Sequence, residues 1–380
     1  MMRILVSFPG VALILVVLLD AFEAIVLPRR VTRQWRLTRL FYRMTWIPWA
    51  AFARRRHSNR KREAFLSFFG PLSLLMLLCV WAVGLIVGFA ILHWAFSSPL
   101  HVANNQVSFG TYVYLSGTTF FTLGLGDVIP LASTGRIFAV VESGVGFGFL
   151  ALVIGYLPVI YQGFSRRETN ISLLDSRAGS PPSGTELLRR HGQQLEDLDR
   201  LLREWEQWSA EIMETHLSYP VLCYYRSQHD NQSWLAALVT ILDASAMIIV
   251  GIDGVSTRQA SLTFAIARHA VVDLSQIFNT PPRPPVPDRL LPVDLAKLRA
   301  ALAAAGVNLR AGAEADEKLS QLRRLYEPYV NALADYLLMP IPLWVPSTQI
   351  SDSWKTSAWE RISTGTASSS LKQSEDKEHF

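Results

Sequence analysis

Three apolar stretches constrain this chain more than any other feature: residues 4–27, 65–96 and 134–161, of 24, 32 and 28 residues. At 1.5 Å per residue even the shortest makes a helix of about 36 Å, enough to cross a hydrocarbon core of about 30 Å. The second exceeds that thickness and must tilt or protrude. Pro71 stands near its start, where a missing N–H is cheap. The third is rich in Gly and reads as closed by Pro158. The first begins like a signal peptide, Arg3 followed by an apolar run. It is too long for one, however, and passes into Asp20, Glu23 and Arg29-Arg30 without a small-residue cleavage site, so a retained helix is expected. Asp20 and Glu23 are expected to reach the interface or to pair with Arg at the helix end.

Composition agrees with a membrane. Half of the 380 residues are apolar and only 18% are charged, and the mean hydropathy is positive, all unusual for a soluble chain of this size. Charge is unevenly placed: residues 1–163 hold 14 Lys/Arg against 5 Asp/Glu, whereas 164–380 hold 22 against 26. A basic apolar half followed by a charge-balanced half reads as a membrane part and then a soluble part. The pI near 9.3 therefore calls for no nucleic acid partner, since the early Arg residues lie between apolar spans. The two cysteines, Cys79 and Cys223, offer no metal spacing and no disulfide framework.

Twelve Arg or Lys residues crowd positions 28–64, and Arg166-Arg167 follow the third span. Loops retained in the cytoplasm accumulate such residues. The expected order is an outside N-terminus, a cytoplasmic basic segment, an outside loop between the second and third spans, and a cytoplasmic C-terminus. Trp35, Phe41, Trp46 and Trp49 interleave with Arg in the basic segment, as on an amphipathic helix lying at lipid headgroups; a solvated linker is the plainer alternative.

In the second half, residues 175–184 (Ser, Gly, Pro) read as a linker. Residues 186–216 read as one charged helix with an apolar face that includes Leu187, Leu198, Leu202 and Trp205. Residues 235–252 are apolar except for Thr240, Asp243 and Ser245. As a fourth span they would bury Asp243 at a cost of about 2.5–3.5 kcal/mol, so a core helix of a soluble α domain is expected. Six prolines over 281–292 make a stiff connector, helices are expected at 293–305 and 314–338, and residues 346–380 read as a disordered tail. No Walker motif, EF-hand spacing or nucleotide-binding Gly fingerprint occurs in this half. Gly144-Val-Gly-Phe-Gly148 lies inside a span with no preceding strand, so it is no dinucleotide loop. The neighbours His269 and Asp273 read as a solvent-facing helix pair, and Tyr219–Arg226 as core. No catalytic constellation stands out, and no enzyme is expected.

The most specific feature is Thr119-Phe-Phe-Thr122-Leu123-Gly124-Leu125-Gly126-Asp127. A dehydrated cation in a membrane needs oxygen ligands in place of its water shell, and successive backbone carbonyls can supply them. Alternating Gly permits the backbone that such an arrangement demands. Thr122 adds a hydroxyl at one end and Asp127 a carboxylate at the other. One chain supplies only part of a ring, so a homotetramer is required.

This T-x-x-T-x-G-x-G-D segment, set between two apolar helices, resembles the pore of potassium channels, as does Asp127-Val-Ile-Pro130 followed by Gly135-Arg136. The resemblance covers about residues 65–163. It implies a reentrant pore helix and selectivity filter between the second and third spans. Together with the spans and charge pattern above, the expectation is an all-α membrane protein with three transmembrane helices and a cytoplasmic helical domain, divided as 1–28, 29–64, 65–163 (the pore domain), 164–345 and 346–380. The implied function is passive K+ conduction with no cofactor beyond the permeating ion, in a cell membrane, with a compact single-pore design that suggests a bacterial inner membrane. Thr122, Leu123, Gly124, Leu125 and Gly126 would then line the filter, Asp127 its mouth, and Thr119, Tyr114 and Leu115 its support.

Two departures stand out. The familiar filter has Val-Gly-Tyr-Gly where this chain has Leu123-Gly-Leu125-Gly, which is similar to the second pore loop of two-pore-domain potassium channels. The aromatic that braces the family's Tyr is here Leu115, so a polar brace would have become an apolar one, while Tyr114 could still hydrogen-bond Asp127. Gly146 falls where the family places a gating hinge; close helix packing by a small residue is the equal alternative. A non-conducting membrane-anchored scaffold with a degenerate pore is the rival function. The ligand of the cytoplasmic domain is not legible.

Overall fold

The computed structural model describes residues 2–27, 36–96, 99–102, 106–192, 196–229, 231–252 and 255–345. Trp35 and the 346–380 tail of the sequence reading lie outside them. The protein is an all-α membrane protein whose chain divides into two units, residues 1–55 with 68–162, and residues 56–67 with 163–380.

In the first unit, α1 (Met2–Ala21), extended by a π turn (Phe22–Val26), crosses α4 (Phe69–Ala95). The crossing is close because glycine lines it. A Cβ on Gly88 would stand 2.6 Å from Ile14 Cγ1, and one on Gly10 would stand 2.9 Å from the Gly88 carbonyl oxygen. Small residues at such a seam let helix backbones approach where lipid gives no hydrophobic drive. Among the described residues Asp20 has no Arg partner. It is buried, and its carboxylate accepts from the Thr38 amide (3.0 Å) and Trp81 Nε1 (2.9 Å), because α4 presents an indole donor opposite it. Glu23 pairs with Arg36 at 3.3 Å.

Residues 37–54 of the basic segment are no solvated linker. They form α2 (Leu37–Arg54), which buries Trp46, Ala50 and Ala53 and sets Trp46 edge-on to Phe69 at 4.8 Å. The opposite side of α2 exposes Leu40, Met44 and Ile47, an apolar stripe at helical spacing beside Arg39 and Arg43. α3 (Asn59–Ser67) precedes α4 with only Phe68 between them, itself in helical conformation, so the expected second span is uninterrupted. The chain then forms β1 (Leu100–Val102), α5 (Phe109–Phe120), β2 (Val128–Pro130) and α6 (Ser133–Ala178). Pro158 does not close the third span, since α6 runs twenty residues past it. One lost N–H bond and a local clash do not end the helix here.

The second unit begins with the end of α6. Arg167, buried, donates to the carbonyls of Leu222 (2.9 Å) and Tyr225 (3.0 Å), which fastens a short 3-10 helix (Pro220–Tyr224) to α6. His216 faces the same guanidinium at 3.3 Å; burial, and then this cation, hold its pKa well below the usual imidazole value. The expected linker at 175–184 is instead folded. Ser180 and Ser183 are buried, and Gly184 stands so close to the core helix that a Cβ would meet the Ala244 amide at 2.8 Å. Residues 186–216 make two helices rather than one, α7 (Gly184–His191) and α8 (Glu196–Ser218). The first ends at Gly192, whose φ of +47° an ordinary residue avoids.

α9 (Trp234–Gly251) is the apolar segment that composition leaves open as a span, and protein encloses it: fifteen consecutive residues from Trp234 to Ile248 are buried. α8, α10 (Thr257–Ile277) and α12 (Ala313–Leu337) surround it, with α11 (Pro292–Ala304) beside α7. Asp243, inside α9, is charge-paired rather than stranded. Arg289 from the proline-rich connector reaches it at 2.9 Å, Tyr326 donates to it, and Glu327 takes the other side of Arg289 at 2.8 Å. Trp344 closes this network, its indole donating to Glu327 at 3.1 Å and its carbonyl accepting from Thr185. Burial raises the Asp243 pKa to about 6, against the opposing pull of Arg289. Asp243→Ala would leave the guanidinium buried with one partner fewer. We expect a loss of about 3 kcal/mol, at the lower end for a broken buried pair because Glu327 remains. An unchanged thermal unfolding midpoint of the helical domain would refute this.

Candidate functional site

The segment singled out by sequence is positioned by α5. This helix has 12 residues, about 18 Å at 1.5 Å per residue, too short to cross a membrane. Its start is fixed by a capping box in which the Ser108 amide donates to Thr111 Oγ1 at 3.1 Å. Tyr112, Leu115, Ser116 and Phe120 are its buried side. At its far end the Thr118 carbonyl accepts the Leu123 amide at 2.8 Å, and the Thr119 carbonyl accepts the Thr122 amide at 3.0 Å. The carbonyl-bearing, negative end of the α5 dipole thus points into the start of the loop, where it favours a cation.

The loop backbone is unusual. φ is +56° at Thr122, +55° at Gly124 and +79° at Gly126, whereas Leu123 and Leu125 between them are not positive. Backbone alternating between left- and right-handed conformations gathers successive amides on one side, which leaves the carbonyls to the other. Two glycines adopt this freely. Thr122 does not: a β-branched residue at positive φ is a real outlier, costing on the order of 1–3 kcal/mol.

The loop exit is also fixed. The Tyr114 hydroxyl donates to Asp127 Oδ2 at 2.7 Å. β2 then pairs antiparallel with β1 in the register Leu100↔Pro130, His101↔Ile129 and Val102↔Val128, and Arg136 Nε donates to the Pro130 carbonyl at 3.3 Å. Leu115 is buried, whereas Leu125 is 63% exposed on the single chain.

Behind the loop, α6 meets α4 and α5 through residues about one turn apart. Phe138 stands edge-on to His93 (5.8 Å) and against Phe96 (5.2 Å). Glu142 meets His93 at 3.6 Å. Gly146 lies under the last turn of α5, where an added Cβ would stand 2.0 Å from the Phe120 carbonyl oxygen, and Phe149 touches the Phe120 ring at 5.8 Å. Gly146 is therefore a close-packing residue. Sequence reading passed over His93 and Glu142, although an ionisable residue inside an apolar span is itself a flag. Among the described residues, no three His, Cys, Asp or Glu side chains gather as metal ligands would. His269 and Asp273 form the surface pair expected of them, at 3.5 Å.

Residues 75–162, from within α4 to mid-α6, match the family model described as "Ion channel". This part of the chain is thus similar to an ion-channel domain. The chain is also 24% identical over 193 residues to the uncharacterized membrane protein YdjJ of Bacillus subtilis (strain 168). The alignment covers 49% of this chain and 55% of that protein, so the chain spans about half the length of the curated relative it matches. No solved structure matches.

Proposed function

We propose that this protein is a potassium-selective channel in which four copies set residues 122–126 around one axis, and K+ passes between rings of backbone carbonyls. The observation that carries the reading is the sign alternation of φ at Thr122, Gly124 and Gly126, at the end of a capped short helix within an ion-channel domain. Thr122 keeps its strain because the loop requires it; strain of this kind concentrates where function demands it. On a single chain Leu123 and Leu125 are largely exposed, as a surface awaiting further copies would be. The Asp127 carboxylates, oriented by Tyr114, would ring the mouth. The basic α2 would rest on the cytoplasmic leaflet, with the second unit on the same side, in a bacterial inner membrane.

The test is reconstitution of the purified protein into liposomes, with potassium, sodium and rubidium flux measured side by side and mass measured in mild detergent. We expect a tetramer that passes potassium and rubidium over sodium. Single cysteines at Ser58 and Gln106, in a background lacking Cys79 and Cys223, should label from opposite sides. A monomer that conducts would refute the pore. A tetramer without flux would favour the second reading, a membrane-anchored scaffold, which the Leu at position 125 in place of the family's Tyr favours.

A further inference from the structure

Within the ion-channel domain one polar cluster has no place in the conduction path. His93 on α4 and Glu142 on α6 are both 0% exposed, with Nε2 and Oε2 3.6 Å apart. The Ser116 hydroxyl of α5, also buried, acts on the same carboxyl. Among the described residues both ring nitrogens of His93, both Glu142 oxygens and Ser116 Oγ have no partner at hydrogen-bond distance and angle. Buried polar atoms left this way are costly, and the cost is larger for charges.

The placement connects this cluster to the loop. Ser116 and Phe120 lie one turn apart on the buried side of α5, and Glu142 and Gly146 lie one turn apart on α6. The helices therefore meet at two successive levels, Glu142 against Ser116 and Gly146 against the Phe120 carbonyl. Any movement at the first level displaces the second, and Phe120 is two residues before Thr122.

We infer that His93, Glu142 and Ser116 form a buried proton-binding site whose occupancy sets the α5–α6 contact and, through it, the pore loop. One proton shared between imidazole and carboxyl leaves no net charge, whichever group holds it. A second proton leaves an imidazolium without a counter-charge, and loss of the shared proton leaves a lone carboxylate. Either state places an unpaired charge in a dry site, and opening the contact to water relieves it. The other titratable groups nearby are occupied elsewhere or remote. Tyr114 is bound to Asp127, Arg136 to the Pro130 carbonyl, and Asp20 to Thr38 and Trp81. Tyr112 on α5 is buried with contacts of its own, and Phe138 closes the α6 side against the His93 ring.

The coupling to conduction rests on the channel reading, so the test has two arms. In the first, histidine-ring NMR of the full-length protein follows the imidazoles over about pH 5–9, the range in which His ordinarily changes charge. The exposed His101 serves as internal standard, and His93→Gln and His101→Gln assign the signals. We expect the His93 ring signals over this range to be altered by Glu142→Gln while those of His101 are not. His93 signals that Glu142→Gln leaves unchanged throughout this range would overturn the site. In the second arm, wild-type potassium flux should change about tenfold across the same pH range, a usual size for coupling between two sites. Glu142→Gln should flatten that dependence, or His93→Gln should if the first variant does not assemble, while His101→Gln keeps it. An unflattened profile in both would overturn the coupling. No flux at any pH, with the His93 signals responding to Glu142→Gln as expected, would sink the channel reading and leave the proton site standing.

Discussion

Gly124→Ala and Gly126→Ala are each expected to abolish potassium flux while leaving membrane insertion and the tetramer in place. The reason is conformational. Both glycines sit at positive φ, +55° and +79°, and an added Cβ at either would meet nothing within 4 Å on the single chain. The substitution therefore causes no clash within the chain, and its cost lies in the backbone. A left-handed conformation costs an L-residue about 1–2 kcal/mol, so the proposed ring of four would carry about 4–8 kcal/mol. Since about 1.4 kcal/mol is a factor of ten in an equilibrium, relaxation of the loop to another backbone would exceed tenfold even if only part of that strain were relieved. Thr122→Ala is the contrasting change. It keeps the φ demand but deletes the hydroxyl and the β-branch, so flux should persist with weakened selectivity. Liposome flux of the three variants beside wild type decides the matter. Full flux in both glycine variants would show that ions do not cross by this segment.

How much of this was legible in the chain differs from part to part. The alternation of Thr, Gly and Gly between two apolar helices announced the loop, because few residue types tolerate the backbone it uses. That Thr122 itself lies at positive φ was not legible, since nothing in a threonine signals a conformation it disfavours. The core position of α9 followed from Asp243: a carboxylate among apolar residues implies a partner, although Arg289 on a proline-rich connector could not be named in advance. The buried turn at 179–183 was misread because Ser, Gly and Pro suit both a solvated linker and a tight packed turn. Only tertiary contact, Gly184 against the α9 backbone, separates them. Pro158 misled for a related reason. A proline disfavours a helix interior by about 3 kcal/mol, but that is a local cost which a long helix can bear without ending.

Gly146 carries the other large expected effect, because its two sequence readings, hinge and close packing, make opposite predictions. At a hinge, alanine would stiffen α6 and alter opening while the closed fold stayed intact. At a packing contact, alanine would attack the fold itself. The Phe120 carbonyl would stand 2.0 Å from the new Cβ. Both parties are backbone, so no side chain can rotate away, and either α6 or the end of α5 must shift. Overpacking of a well-filled contact costs about 1–3 kcal/mol, here once in each copy and directly beside the start of the loop. Gly146→Ala is therefore expected to lower the unfolding midpoint and to remove flux together. Gly144 and Gly148, whose added Cβ atoms would meet nothing within 4 Å on the chain, should lose neither on substitution by Ala. A Gly146→Ala protein that unfolds at the wild-type temperature and differs only in how readily it opens would restore the hinge and remove the packing argument.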